Sequence, residues 1–265
     1  MNLKEITKQV CELTHKVGKF IQTEAKTFDI QHSALEKNHN ELVSFVDREA
    51  EKQLVEGLKN ILPDASFITE EETIAREDAD WTWVIDPLDG TTNFMHRLPL
   101  YAISIALMNR KKEAVLGVVH ELNRDECFHA YTGGGAFMNE EKINISKAEK
   151  ISDSLIVTGF PYTMDTRADM YMKVVRDFQL TSHGVRRLGS AATDMAYVAC
   201  GRLDGYFEFN VKIWDVAAGV CILKEAGGKT TDFRGNPNLD KISGIEVVAA
   251  GHIHTEMINL IAKHW

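Results

Sequence analysis

Residues 86–94 read Asp-Pro-Leu-Asp-Gly-Thr-Thr-Asn-Phe, two carboxylates three positions apart around a proline, followed by small and hydroxyl-bearing residues. Trp83-Val84-Ile85 just before them has the composition of a buried strand, so the spacing predicts that Asp86 and Asp89 emerge together at a strand end. Two like charges ~4 Å apart at an effective dielectric near 20 repel by about 4 kcal/mol. A divalent cation removes that cost. The backbone amides of Gly90, Thr91 and Thr92 are then placed to face a bound anion, which is the arrangement of metal beside phosphate. Taken alone, Asp-Pro and Asp-Gly are also ordinary turn dipeptides.

Two further acidic sites weigh against a plain turn. Ser66-Phe67-Ile68-Thr69 is a short apolar run that ends in Glu70-Glu71-Glu72. By itself it is equally a solvated acidic loop. Downstream, Asp215 follows Trp214 and precedes Val216-Ala217-Ala218-Gly219, a position that also suits a helix N-cap. Three acidic sites at element boundaries suit a hard cation held by oxygen, Mg²⁺ being the usual occupant. Cys11, Cys127, Cys200 and Cys221 are scattered without Cys-x-x-Cys spacing, and no Cys or His cluster is expected to offer a competing soft site.

The composition bounds the possibilities. The 265 residues suffice for one large domain or two small ones, and at 44% hydrophobic they can bury a core. The net charge of −9 argues against general nucleic-acid binding and requires that phosphate be drawn in by metal ions. No apolar run approaches the ~20 residues of a membrane span. Lys4 and Lys8 precede no apolar signal core, and unpatterned cysteines fit a reducing cytoplasm.

The elements that must position these residues can be sketched. Leu3, Ile6, Val10, Leu13, Val17, Phe20 and Ile21 recur at helical spacing behind an Asn2 cap. A second helix is expected from about Asp47 to Ile61, stopped by Pro63. Strands are expected over 66–69, 82–85, 101–108, 114–120 and 126–131, with Gly133-Gly134-Gly135 as a turn. After Lys150 the pattern predicts a strand at 155–158, helices over 166–178 and 191–199, and a strand at 205–209. A helix over 216–226 ended by Gly227-Gly228, a strand at 247–250 and a last helix over 254–263 complete it.

The motifs, taken together and in order, resemble the inositol monophosphatase family of Mg²⁺-dependent, lithium-sensitive phosphatases. The resemblance runs through Glu70-Glu71, Asp86 to Phe94 and Trp214 to Gly219. It is seconded by Leu42-Val43-Ser44 with Asp47, Gly134 to Phe137 with Asn139, Thr158 to Tyr162 and Gly189-Ser190-Ala191-Ala192. It implies an α+β fold, a layered α-β-α-β-α sandwich of the inositol monophosphatase and fructose-1,6-bisphosphatase type. Residues 1–150 would carry most metal ligands, and 151–265 would complete the metal site and the substrate pocket. It implies two or three Mg²⁺ held by Glu70, Asp86, the Leu88 carbonyl, Asp89 and Asp215, with Asp86 bridging. Thr91, hydrogen-bonded to Asp47, would orient the attacking water, with Glu70 joining Asp47 and Thr91 as catalytic groups. The amides of Gly90 and Thr91 would hold phosphate, and Gly189, Ser190, Ala191 and Glu208 would line the substrate pocket. The substrate would be myo-inositol monophosphate or a similar polyol or sugar phosphate, and the assembly a homodimer. Alternatives on the same scaffold are a 3'(2'),5'-bisphosphate nucleotidase, a fructose-1,6-bisphosphatase, an inositol-phosphate lipid phosphatase, or a non-catalytic partner-binding role. Thr69 departs from the family glycine before the glutamates, and Lys37 stands one place from the usual mobile-loop lysine.

Overall fold

A computed structural model describes the backbone outside residues 28–35, 73, 75–78, 161–165 and 238–240, and the side chains outside those and 27 and 36–44. The expectations for Lys37, Leu42-Val43-Ser44 and Pro161-Tyr162 therefore lie outside the described residues.

Two helices open the chain, α1 (Leu3–Thr27) and α2 (Glu36–Ile61). Seven strands follow: β1 (Ser66–Thr69), β2 (Trp81–Asp89), β3 (Ala102–Asn109), β4 (Ala114–Glu121), β5 (Glu126–Tyr131), β6 (Gly135–Met138) and β7 (Glu141–Ile143). A one-turn helix, α3 (Thr91–Met95), sits between β2 and β3. The seven strands form one sheet in sequential order, β1 parallel to β2 and the rest antiparallel. The second half alternates: β8 (Leu155–Thr158), α4 (Ala168–Thr181), β9 (Gly184–Arg186), α5 (Ala191–Ala199), β10 (Gly205–Val211), α6 (Ile213–Glu225), β11 (Lys229–Thr231), β12 (Ile245–Ala250) and α7 (His254–Ile261). Its strands form a five-stranded mixed sheet in the order β11-β12-β10-β8-β9.

The alternation of side chains along the strands explains the layering. In β3, Ile103, Ile105 and Leu107 face α1 and α2 with Val10, Val17, Leu54 and Leu58, while Ala102 and Ala106 face the opposite side with α5 and α6. In β10, Tyr206 packs on that same inner side, and Phe207 and Phe209 turn outward to α4 and α7 through Tyr171, Phe178 and Met257. The result is helices, sheet, helices, sheet, helices: the expected α-β-α-β-α sandwich. No helix among the described residues is long and apolar enough to cross a membrane.

The boundaries differ where long-range pairing decides them. α2 begins at Glu36, so Asp47 lies inside the helix and not at its start. The short strands β6, β7, β9 and β11 carry too little pattern to be seen in sequence and form because a neighbouring strand offers its edge. β2 does not stop at Ile85 but runs on through Asp89.

The inner helix α6 lies unusually close to the seven-stranded sheet, because Gly117 of β4 faces the Ala218 backbone and leaves no room for a side chain. A methyl there would sit 3.0 Å from the Ala218 Cα. Gly117→Ala should therefore destabilise the fold by about 1–3 kcal/mol, read as a lower urea midpoint at unchanged slope. An unchanged midpoint would mean that α6 is not held against the sheet at this point.

Candidate active site

The two aspartates of the central motif share one side of the sheet because β2 carries a bulge. Asp86 opposes Ser104 and Asp89 opposes Ala102, so three steps along β2 match two along β3. In a regular strand, positions three apart point to opposite faces; the extra residue brings them to one face. Pro87 suits a bulge because it has no N–H to give to the ladder, and the Leu88 N–H turns back to Asp86 Oδ1 at 3.0 Å. The acidic pair thus sits at the end of β2, as expected, but within the last four residues of the strand, where the bulge turns both to one side.

The other carboxylates arrive by pairing. β1 runs parallel to β2 with Thr69 opposite Ile85, and the Glu70 N–H continues that ladder to the Ile85 carbonyl at 3.3 Å, which sets Glu70 beside Asp86. Ser104, the cross-strand partner of Asp86, donates its hydroxyl to the Trp214 carbonyl at 3.1 Å and so ties the start of α6 to the sheet. Asp215 stands in the first turn of α6, not at its cap, and accepts the Lys212 N–H at 2.7 Å. Asp89 receives the Ser190 hydroxyl at 2.6 Å and the Ala192 N–H at 2.7 Å, which anchors the start of α5.

Glu70, Asp86, Leu88, Asp89, Gly90, Thr91, Gly189, Ser190, Ala191, Glu208 and Asp215 all line one cleft. Gly90 has φ 98°, and a Cβ there would press on the Leu100 carbonyl at 3.1 Å. Only glycine makes that turn from β2 into α3 without strain. Asp47 lies beside the cleft among Glu71, Glu70 and Glu51. The expected Thr91–Asp47 hydrogen bond is not made: the Thr91 hydroxyl donates to the Leu88 carbonyl at 3.0 Å, and Asp47 Oδ1 is buried without a hydrogen-bond partner.

Sequence reasoning gave no site role to five members of this neighbourhood. Asp194 is a fully buried carboxylate in the cleft wall, with Oδ1 unpartnered; a charge in the apolar stretch Ala191 to Ala199 was the signal. Arg187 faces the cleft, and its charge partly offsets the burial that raises the pKa of Asp89, Glu208 and Asp194. Buried Tyr206 donates to Glu208 Oε2 at 2.8 Å, and Gly159 leaves the space that the Glu208 carboxylate occupies. Buried Glu51 accepts the Glu71 N–H at 2.8 Å. The expectation that no histidine cluster exists is also corrected, since His15, His120 and Asp125 gather on another face.

The electrostatics follow from crowding. Burial first, then Glu70, Asp89 and Asp215, push the Asp86 carboxyl well above the usual range. Burial first, then Asp89, does the same to Asp215. Desolvation in the cleft lifts Glu70 to about 7, burial with Glu71, Glu70 and Glu51 nearby lifts Asp47 to about 8, and burial lifts Glu208 to about 7. Asp89 rises only to about 6, because its bonds from Ser190 and Ala192 oppose burial. A donor set made wholly of oxygen, converging and mutually repelling, fits a hard divalent cation.

Comparison with known proteins covers nearly the whole chain. A profile described as the inositol monophosphatase family matches residues 2–265. A putative Nus factor SuhB from Neisseria meningitidis serogroup B is 41% identical over 231 residues, 86% of this chain and 87% of that protein. An inositol-1-monophosphatase from Mesorhizobium japonicum is 39% identical over 218 residues, 82% of this chain and 81% of the relative. The solved structure of inositol monophosphatase from Anabaena (Nostoc) sp. PCC 7120 superposes with a TM-score of 0.85 at 32% identity, covering 100% of this chain and 98% of that one.

These shifts set a pH dependence. The folded, cation-free protein keeps protons on Glu70, Asp47 and Glu208 up to about pH 7, 8 and 7, whereas an unfolded carboxylate ionises near ~4. The folded state then binds more protons than the unfolded one, so stability falls as pH rises toward the folded values. With chelator present, Tm should drop between about pH 6.5 and 8.5, a window above the titration of buried His254, which burial lowers to about 4. Mg²⁺ should raise Tm more at the upper end than at the lower, since it competes with those protons. A Tm that is flat across this window in chelator would refute the mutual-repulsion account.

Proposed function

The chain belongs to the inositol monophosphatase family, and on that premise we propose that it is a Mg²⁺-dependent phosphomonoesterase acting on myo-inositol monophosphate or a similar polyol or sugar phosphate. The observation that carries this is the convergence of Glu70, Asp86, Asp89 and Asp215 on one cleft that Glu208 also lines.

Glu70, Asp86, the Leu88 carbonyl, Asp89 and Asp215 would hold two Mg²⁺, with a third near Glu70. Bound there, the ions supply charge neutralisation and a water acidified enough to attack phosphorus. The rest falls to the chain. Asp86 stands among Glu70, Asp89 and Asp215, so it is the ligand suited to serve two ions. Thr91 stays bonded to the Leu88 carbonyl, which retains a second lone pair; its hydroxyl oxygen would accept from and orient the attacking water, with Asp47 and Glu70 as the carboxylates proposed to assist it. The amides at Gly90 and Thr91 hold the phosphate oxygens. Residues 1–150 supply most ligands, and 151–265 close the pocket through Gly189, Ser190, Ala191 and Glu208. The Nus-factor names of several relatives carry a second reading, a role on a macromolecular partner. That role needs no buried acidic cleft, so the cluster favours catalysis.

Activity should require Mg²⁺. Asp86→Asn should lose more than the ~10–100-fold typical of an outer-shell partner, and Glu71→Gln should stay within that range. Equal losses would overturn the ligand assignment. Glu208 tests the substrate. Carboxylate hydrogen bonds to ring hydroxyls are worth about 1.5–3 kcal/mol, so Glu208→Ala should cost roughly 10–100-fold in kcat/KM for inositol phosphate. It should cost far less for p-nitrophenyl phosphate, which has no ring hydroxyl. Equal loss on both esters would make Glu208 a structural residue, and no loss on either would remove the preference for a polyol.

A further inference from the structure

On the face of the seven-stranded sheet that α1 covers, three side chains meet that the cleft does not use. His15 comes from α1, His120 from β4 and Asp125 from the turn before β5. The two imidazole centroids are 4.3 Å apart. His120 Nε2 lies 3.0 Å from Asp125 Oδ1, and His15 Nε2 lies 3.6 Å from the same oxygen. Gly18, one turn along α1 from His15, lets the helix approach this closely: a Cβ there would meet Leu122 at 2.7 Å.

The tautomer of His15 decides what this cluster wants. Its Nδ1 lies 2.7 Å from the Cys11 carbonyl, which can only accept, so Nδ1 carries the proton. In the neutral ring Nε2 is then a bare lone pair directed at a carboxylate oxygen, acceptor against acceptor. A cation between them turns that conflict into two bonds. An imidazole whose other nitrogen donates to a backbone carbonyl is the arrangement that fixes a metal-binding histidine. The three donor atoms all lie within 4.8 Å of one another, near the ~3.4 Å spacing that tetrahedral bonds of about 2.0–2.1 Å produce.

The carboxylate is mounted on a fixed turn. Asp125 has φ 55°, a conformation that Asp tolerates better than most residues. Buried Glu121 braces the same turn by accepting the N–H groups of Asn123 at 3.1 Å and Arg124 at 2.8 Å. Asn139 Nδ2 adds a bond to the Asp125 carbonyl at 3.3 Å.

We propose that His15, His120 and Asp125 form a second metal site, separate from the acidic cleft, that takes a borderline divalent cation, Zn²⁺ foremost, with a fourth position open to water. Two nitrogen donors and one carboxylate select against Mg²⁺ and Ca²⁺, which take oxygen. The Asp125 side chain is 75% exposed, which leaves a path for the ion and its water. Bound there, the cation would clamp α1 to the β4–β5 turn, joining the helical layer to the sheet.

The test uses the full chain with the cleft saturated by excess Mg²⁺ and Zn²⁺ alone as the probe, titrated against a chromophoric chelator. One Zn²⁺ per chain is expected in the wild type and in Asp86→Asn, with affinity falling at least ~10-fold in His15→Ala and in Asp125→Asn. His15 and Asp125 are at the surface, and alanine in a helix or asparagine at positive φ keeps the fold. At free Zn²⁺ about 100 times Kd, Tm should rise by roughly 5 °C or more in the wild type and not in His15→Ala. Binding that disappears in Asp86→Asn but survives His15→Ala would place the ion in the cleft and overturn the proposal. No Zn²⁺ uptake by the Mg²⁺-saturated wild type would also overturn it, leaving a proton as the cation between these groups.

Discussion

The repulsion among carboxylates that the backbone forces together is the constraint on which the rest of this structure depends. Left to themselves, Glu70, Asp86, Asp89 and Asp215 would separate into water. Each is held in the cleft by a bond that has nothing to do with its charge: the parallel ladder for Glu70, the bulge for Asp86 and Asp89, the Ser104–Trp214 tie for Asp215. The stability of two sheets and three helical layers is set against that cost. The most perturbed groups of the cleft are therefore where a cation is worth most.

The layered architecture serves the same end. The cleft forms where the first sheet meets the starts of α5 and α6, the two helices sandwiched between sheets. α6 can present Asp215 to the β2 bulge only because Gly117 lets it lie on the sheet, and α5 is fixed by Asp89 itself. Asp89 so has one oxygen committed to the fold and the other directed to the cleft. Removing its carboxylate would loosen α5 together with any ion, which distinguishes it from Asp86, whose bond to the backbone among the described residues is the local one from Leu88.

What could be read from the sequence follows the same division. The Asp86 to Phe94 motif was legible because its chemistry is local: carboxylates, proline, glycine and hydroxyls within nine consecutive positions. Strongly periodic elements such as α1, β3 and α5 were legible because their cores repeat at a fixed spacing. The bulge was not, because it is a relation between β2 and β3. Nor were the short strands, which owe their form to a neighbour's edge, or the length of α2, whose first turns have no apolar stripe to announce them. Asp194 and Arg187 gain their meaning from Glu208 and Asp89, across stretches of chain that no local pattern connects.

The two polar constellations then differ in kind. In the cleft, the donors are all oxygen, charge accumulates, and Arg187 is the cationic side chain among the described residues that line it. On the α1 face, two imidazoles and one carboxylate carry little net charge, and the conflict is one of lone pairs. The first arrangement attracts a hard ion strongly and indifferently to direction, because Coulomb repulsion is relieved by any cation of the right size. The second is directional, because it is relieved only by an acceptor of electron pairs placed where both Nε2 atoms and Asp125 Oδ1 point. Mg²⁺ answers the first demand and is ill-suited to the second. A chain that meets both can hold two different metals, because the nitrogen-bearing site rejects Mg²⁺ and an excess of Mg²⁺ keeps the cleft for itself.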